Sequence, residues 1–570
     1  MKRFVLVYVA LLTLCSVTAR SQWSNNPAVN NPIGVGKSGR YDLFTITDAA
    51  GNTFVTWYDG SSDSKGGVYV QKITAAGSLA WTVGGVRVDS IPQTFQKPAM
   101  TSDGNGGVFV TWEDSRSDNP GPNIYGQHIS TNGAVQWISN GLNLTASFTG
   151  ELSFRQPANP QMLSDGSNGT YVSWDDAFGS VLMRVASNGS LTWATKVDTV
   201  YGATDTRITS DGSGGVILAW TDDRNITSGD LADIYAQRVN SSGTPMWTAG
   251  GVVVSNATNL QEYPQIVSDG SGGAVIALQD FRDGAHFQGY VQRLNASGVP
   301  QWTANGLALT TTGNSINNLV MCSDGAGGGI LTWEESRGTG MSGSDNIYAQ
   351  RVDVSGQLKW TSSGANVCVN TAPQEDPEIT SDGSGGAVIV WDDNRNTGAN
   401  IDIYAQRING SGVAQWTADG VAVSSASGNQ TEPVITPAAN GAAVIFWYDF
   451  RTNGGNSNAD IYGQYISGNG TVSVVREAKD ALPVSFNLAQ NFPNPFNPST
   501  QIQFAVPRAG AVSLKVYDVL GREVATLVDQ ELAASSYSVT WNAGNAASGV
   551  YFYRLVAGSY SETKRMVLMK

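Results

Sequence analysis

An all-β fold of repeated four-stranded sheets is predicted by three observations. Short runs rich in β-branched and aromatic residues recur along most of the 570-residue chain, without a sustained helical period. They are separated by glycine-rich turns such as Ser381-Asp382-Gly383-Ser384-Gly385-Gly386 and Asn409-Gly410-Ser411-Gly412, which supply the positive φ of tight hairpins. Tryptophans mark the copies at a fixed place in each unit: Trp57, Trp112, Trp174, Trp220, Trp333, Trp391 and Trp447, with Leu278 at the fifth position. The period, roughly 46 to 62 residues, is that of propeller blades.

The stretch from Glu378 to Val423 is the clearest copy. Its strands are predicted at EIT before Ser381, at Ala387–Trp391, at Ile401–Ile408, and from Gln415-Trp416 to Val423. The fourth-strand tryptophans are Trp81, Trp137, Trp193, Trp247, Trp302, Trp360 and Trp416. An eighth, Trp23, precedes the first copy, whereas the last copy lacks this element. The two deficient ends complement one another. Residues 22–30 are expected to supply the missing strand and close the ring, which removes sheet edges exposed to aggregation. Eight blades are expected. Seven is the fallback if the short, divergent third copy is absorbed elsewhere.

At the N-terminus, Lys2 and Arg3 precede an apolar run from Phe4 to Leu14 and then small residues, the pattern of a signal peptide over residues 1–21. That run is too short to span a bilayer, and no later stretch is long and apolar enough. The formal net charge of −14 and pI near 4.6 argue against a nucleic-acid surface, which needs a basic footprint. After the signal only Cys322 and Cys368 remain, expected on the inner and outer strands of one blade. At ~4.8 Å per strand they are too far apart to bridge, and both are read as apolar fillers.

Repeats occupy residues 22–475, and the charged segment 476–487 reads as a linker without strand pattern. From Leu488 the composition shifts to a proline-rich start followed by alternating strands, which predicts a small antiparallel sandwich. The motifs Asn491–Thr500 (NFPNPFNPST), Lys515–Val528 (KVYDVLGREVATLV), Ser548–Leu555 (SGVYFYRL) and Lys564–Lys570 (KRMVLMK) stand in this order. Residues 488–570 thereby closely resemble the type A C-terminal sorting domain of type IX secretion. The resemblance implies an immunoglobulin-like sandwich and export, via the periplasm, across the outer membrane of a Gram-negative bacterium by the type IX machinery. It also implies, in many members, removal of the domain and attachment of the cargo to surface lipopolysaccharide. Its motif positions here are Asn491, Pro493, Asn494, Pro495, Gly521, Gly549 and Lys570.

Candidate ligand groups follow the second strand, where an acid and an arginine recur two residues apart. The pairs are Asp114 with Arg116, Asp222 with Arg224, Asp280 with Arg282, Glu335 with Arg337, Asp393 with Arg395 and Asp449 with Arg451. Carboxylates and arginines on one rim suit a polysaccharide or a protein partner, and carboxylate pairs can hydrolyse glycosides. Six copies of one constellation do not make one active site, since catalysis needs a locally unique arrangement. The repetition points instead to a structural contact in each blade. No catalytic residue, cofactor or metal ligand is singled out. The acidic loop Asp392–Asp402 leaves calcium open, while His128 and His286, the only histidines, exclude a histidine-rich zinc site. The recurrent third-strand Gln, as in Tyr404-Ala405-Gln406-Arg407, is expected to bond backbone between blades. Hairpins such as Asn240–Trp247 resemble the structural Asp-box of sialidase-type propellers but are one residue longer.

The functional reading is a secreted or cell-surface binding protein rather than an enzyme. One alternative is an extracellular glycan hydrolase or lyase. That would need a non-repeated acidic group in the central cleft, to be sought in the third copy or in the fifth-copy loop from Asp280 to Gly289. The other alternative is a structural surface-layer component.

Overall fold

The computed structural model describes residues 23–569 apart from 24–26, 28–29, 35–39, 61–66, 90–94, 117–121, 148–156, 178, 199–201, 227–230, 338–344, 397–399, 452–458, 472–474, 478–485, 509, 533–534 and 544–545. The predicted signal peptide lies outside the described residues. Among the described residues there is no α-helix, only two three-residue 3-10 turns at Thr145–Ser147 and Ala439–Gly441. Ten antiparallel four-stranded sheets form, eight of them between Asn31 and Ile466.

The seventh sheet shows the plan: Gln374–Ser381, Ala387–Asp393, Asp402–Ile408 and Val421–Ser424, in that order. Its second strand is buried along its whole length, because a neighbouring sheet covers each face. The sheets form a closed, propeller-like circuit. The inner strand of each lies beside that of the next, and the last, Gln430–Pro437, lies beside the first, Arg40–Thr47. The sequence places the outer strand too early. The Gln-Trp segment makes only a single bridge (Ile408 to Ala414 in the seventh sheet), and the paired outer strand follows it.

The ends of the ring meet as the sequence suggests, a few residues further along. Asn31–Gly34 pairs with Asp460–Ile466 as the fourth strand of the last sheet. Asn31 donates to the Gly463 carbonyl and to Gln464 Oε1, while Asn30 donates to the Val423 carbonyl. Trp23 supplies the tryptophan that the last copy lacks. Each outer tryptophan seats on the left-handed hairpin glycine of the following sheet: Trp81 on Gly133, Trp137 on Gly189, Trp193 on Gly243, Trp247 on Gly298, Trp302 on Gly356, Trp360 on Gly412 and Trp416 on Gly470. Trp23 seats on Gly77 and makes the eighth such joint. A Cβ at Gly412 would stand 2.6 Å from the Trp360 ring, so the joint needs glycine for contact as well as for its φ of +80°. Six of these indoles also donate to a carbonyl of the following sheet at 2.8–3.2 Å.

A second joint uses the turn aspartates. Asp382 Oδ1 accepts from the Ser384 and Gly386 amides, while Oδ2 pairs with Arg407 at 2.9 Å. Arg407 then donates to the Gly468 carbonyl in the next sheet. Arg184, Arg238, Arg293 and Arg351 do the same from Asp165, Asp211, Asp269 and Asp324. The repeated Gln, by contrast, works within its own sheet. Gln406 donates to the Thr417 carbonyl and accepts from the Trp416 amide, pinning the outer segment to the third strand. The expected inter-sheet role belongs to the arginine beside it, because the glutamine side chain is enclosed by its own Gln-Trp turn.

Cys368 is buried and Cys322 half-buried, and both are free thiols on the outer and inner strands of the sixth sheet. Beyond the ring, two further sheets enclose one core that includes Phe504, Leu514, Val539, Tyr553 and Leu568. The first runs Val475–Glu477, Ser535–Asn542, Ser499–Val506, Asn487–Leu488, and the second runs Glu523–Leu532, Gly510–Tyr517, Gly549–Ala557, Tyr560–Leu568. Val475–Glu477 overlaps the segment read as linker. Its backbone pairs with Ser536–Ser538, where an open strand edge accepts it.

Candidate functional site: the central channel

The six acid–arginine pairs fall at equivalent places and make one contact set. Asp393 accepts from the Trp391 indole at 2.8 Å and from the Arg395 amide, and it pairs with the Arg395 guanidinium at 2.6 Å. That guanidinium lies 3.8 Å from the centre of the Tyr404 ring and donates to the Asp419 carbonyl, where the outer strand begins. Arg116, Arg224, Arg282, Arg337 and Arg451 stack on Tyr125, Tyr235, Tyr290, Tyr348 and Tyr462 at 3.3–4.0 Å. Their partners Asp114, Asp222, Asp280, Glu335 and Asp449 have no side-chain exposure. Each constellation is a clamp across three strands of one sheet, and the six are not brought together.

In the acidic loop of the seventh sheet, Asp393 is held by Arg395 and Asp402 by Asn396 at 2.5 Å. Residues 397–399 of that loop lie outside the described residues. Among the described residues, no three His, Cys, Asp or Glu side chains are placed to hold a metal ion.

The inner strands bring different residues together. Each inner strand carries one left-handed residue at a register shift. In order they are Asp42, Lys97, Asn159, Asp205, Tyr263, Asn318, Asp376 and Glu432, with φ between +48° and +59°. Such a bulge bends the strand and re-aims its side chain, here toward the axis of the ring. It also frees a backbone N–H. In five copies the following residue is proline (Pro98, Pro160, Pro264, Pro377 and Pro433), which has none to lose.

Side chains of the preceding sheet cap the remaining donors. Glu113 accepts from the Asn159 amide at 2.8 Å, Glu334 from Asp376 at 2.5 Å, and Asp392 from Glu432 at 3.3 Å. Asp175 accepts from the Thr206 amide, and the Tyr448 hydroxyl from Leu43 across the closing seam. In five sheets the residue after the core tryptophan thus caps the bulge region of the next sheet.

Five of these bulge residues, Asp42, Tyr263, Asn318, Asp376 and Glu432, line a channel cavity of about 670 Å³, within the range of ligand sites. Carboxylates dominate the wall: Asp42, Glu262, Asp376, Glu378 and Glu432. Among the described residues Arg207 is the one cation lining it, and Tyr263, Phe287 and Tyr448 add aromatic faces. Burial pushes the Glu378 carboxyl up to about 7, with the Asp376 charge adding to the rise and Arg207 opposing it. Burial also raises the capping carboxyls: Glu334 to about 7, Asp175 to about 6, and Asp392 well above the ordinary range, with Asp376 adding to the last. Burial raises the carboxyls of Glu262, Asp376 and Glu432 as well, so the wall holds its protons more tightly than free carboxylates do, and Glu378 is part-protonated near neutrality. It can accept and donate hydrogen bonds, neutralise positive charge and transfer protons.

Of the two places favoured for a non-repeated acid, the third copy supplies the capping Asp175. The fifth-copy loop supplies Phe287, packed on Phe281 at 4.9 Å between ring centres. The sequence reading missed Glu375, Asp376, Glu378 and Glu432. Their signal is a fixed frame with a changing residue: Gln96-Lys97-Pro98, Ala158-Asn159-Pro160, Glu262-Tyr263-Pro264, Glu375-Asp376-Pro377 and Thr431-Glu432-Pro433.

In the C-terminal sandwich, Asn491 is buried; its backbone amide donates to the Tyr553 hydroxyl, and its side chain donates to Thr500 Oγ1 and the Pro493 carbonyl. Asn494 Oδ1 accepts from the Val567 amide on the last strand. The peptide bonds preceding Pro493, Pro495 and Pro498 are cis. Gly521 turns at φ +77° and Gly549 opens the strand that pairs with Tyr560–Leu568, while Lys570 lies outside the described residues. These contacts tie the proline-rich loop to the C-terminal strand. Residues 490–569 match the family of the secretion system C-terminal sorting domain. The tail is a type IX sorting domain. It marks the chain for export to the cell surface or beyond, and for handling by the type IX machinery.

No curated protein matches the chain in sequence. Among solved structures, an α-L-arabinanase from Penicillium chrysogenum, complexed with arabinobiose, is 14% identical with a TM-score of 0.30, covering 55% of this chain and 94% of its own. An endo-arabinase from Bacteroides thetaiotaomicron is 15% identical with a TM-score of 0.26, covering 46% and 94%. Prolyl oligopeptidase B from Galerina marginata is 10% identical with a TM-score of 0.37, covering 73% and 55%. At these scores the likenesses accompany the all-β, propeller-like description and carry no argument about activity. No helix among the described residues is long and apolar enough to cross a membrane.

Proposed function

We propose that this chain is an exported binding protein whose ring, residues 22–475, takes a segment of polysaccharide in its central channel. In this reading the ring is an eight-bladed propeller closed by its N-terminal strand. Residues 488–570 form an immunoglobulin-like sandwich that delivers it to the outer surface of a Gram-negative bacterium, where attachment to lipopolysaccharide would hold it. The observation that carries the proposal is the channel wall: non-repeated carboxylates, amides and aromatic rings, on rigid inner strands, around one cavity of ligand size. The acid–arginine clamps at the second-strand ends offer no comparable convergence.

The test is a polysaccharide and glycan array probed with the exported chain, with and without calcium. Selective binding that is lost in Asp376→Asn/Glu378→Gln supports the proposal. Binding to no glycan, or binding indifferent to the channel residues, removes it in favour of a protein partner or a structural role. A glycan hydrolase is the second reading, favoured by Glu378 and Glu334, whose carboxyls remain partly protonated near neutrality as a general acid must. Release of reducing sugar from a bound polysaccharide, abolished by Glu378→Gln, would select it.

A further inference from the structure

The channel is one-sided in charge, and this narrows the ligand. We infer that the sugar unit held in the channel carries a free primary ammonium, as a deacetylated amino sugar does; the inference rests on the channel being the ligand site. Five carboxylates line the cavity against the single guanidinium of Arg207. Behind them Asp392, only 6% exposed, accepts one bond, from the Glu432 amide at 3.3 Å, and its Oδ1 has no hydrogen-bond partner among the described residues. A neutral ligand would displace the water that screens this wall and leave like charges facing one another in a less polar space. An ammonium offsets that repulsion and supplies three donors to the carboxylate oxygens. Tyr263 strengthens the case. It stands on a left-handed bulge beside Glu262, 48% exposed, and an ammonium bound to carboxylates gains further from an aromatic face. Gln265, Gln279 and Asn317 put amide donors and acceptors on the same wall, where ring hydroxyls can use them and the alkyl stem of a lysine cannot. The chain's formal charge of −14 draws cations toward it at long range.

The discriminating probes are glucosamine hexamer, its fully N-acetylated counterpart and hexalysine, titrated calorimetrically into the exported chain at neutral pH. Glucosamine hexamer is expected to bind at least about tenfold tighter than the acetylated hexamer and to weaken as salt rises. Asp376→Asn/Glu378→Gln should cost it about tenfold or more, while Arg207→Gln should tighten it. Equal or tighter binding of the acetylated hexamer would overturn the inference, leaving the channel as a site for neutral glycans. Tighter binding of hexalysine would overturn both the inference and the polysaccharide reading. Retained melting temperature in the double variant separates lost binding from lost folding.

Discussion

The body of each sheet and the wall of the channel are built from the same repeat under opposite rules. In the body the side chains recur: Trp391, Asp393, Arg395 and Tyr404 have counterparts making the same contacts in most other sheets. Along the channel the backbone recurs, with one left-handed bulge per inner strand, while the side chain on it ranges from Lys97 to Tyr263 to Asp376. Repeated side chains hold the ring together. Changing side chains on a repeated backbone mark the surface free to specialise. A residue's place in the repeat therefore says more about its role than its chemistry does, since Asp393 and Asp376 are the same amino acid.

The largest expected effect lies in the body. Asp393→Ala leaves Arg395 without its carboxylate and Trp391 without its acceptor, and should cost about 3–5 kcal/mol, seen as a large fall in melting temperature. Trp23→Ala comes next. If the closing seam is an ordinary joint, losing this ring (5% exposed) should cost about 3 kcal/mol, as Trp360→Ala should in the middle of the chain. An unchanged melting temperature for Trp23→Ala alone would break the comparison at the seam. Asp376→Asn is the smallest in stability, within about 0.5 kcal/mol, because the side chain is exposed and asparagine accepts a left-handed φ. Its effect should appear in binding.

Acidity sharpens the contrast. Glu334, raised from 4.5 to about 7, and Glu378, raised likewise, bind their protons more tightly folded than unfolded. The stability they add is present while they are protonated and is lost as pH rises through their folded values near 7. In the body, burial is outweighed for Asp165 by backbone donors and Arg184, and for Glu335 by Arg337 with the Trp333 indole, so both carboxyls fall below their ordinary values. Their contribution is lost only in stronger acid. Melting temperature should therefore rise as pH falls from about 8 to about 5 and drop again below about 4. Glu334→Gln should flatten the upper limb and leave the lower one.

Most of the architecture was legible because the scaffold is repetitive. Trp23 without a copy behind it, and a last copy without its tryptophan, announced the closure that Asn31–Gly34 makes. The outer strand was misplaced because Gln415-Trp416 resembles a strand in composition, whereas its tryptophan packs across the joint between sheets. The channel is hidden in the sequence because its signal is a recurring backbone under side chains that do not recur. Bulge geometry is hidden in a residue-before-proline frame that resembles an ordinary turn or strand end. Glu113 and Asp392 stand directly beside the clamp acids Asp114 and Asp393 in sequence. They cap the next sheet's bulge instead, a contact about 40 residues away that no local pattern carries.

The central claim is that function resides in the channel wall and not in the repeated acid–arginine clamps. Calorimetric titration of the best array ligand into three proteins tests it most directly: wild type, Asp376→Asn/Glu378→Gln, and Arg282→Lys as a conservative change in a clamp. The account predicts lost binding at unchanged melting temperature for the channel variant, and retained binding at a lowered melting temperature for the clamp variant. Full binding by the channel variant, with loss on changing Arg282, would contradict it.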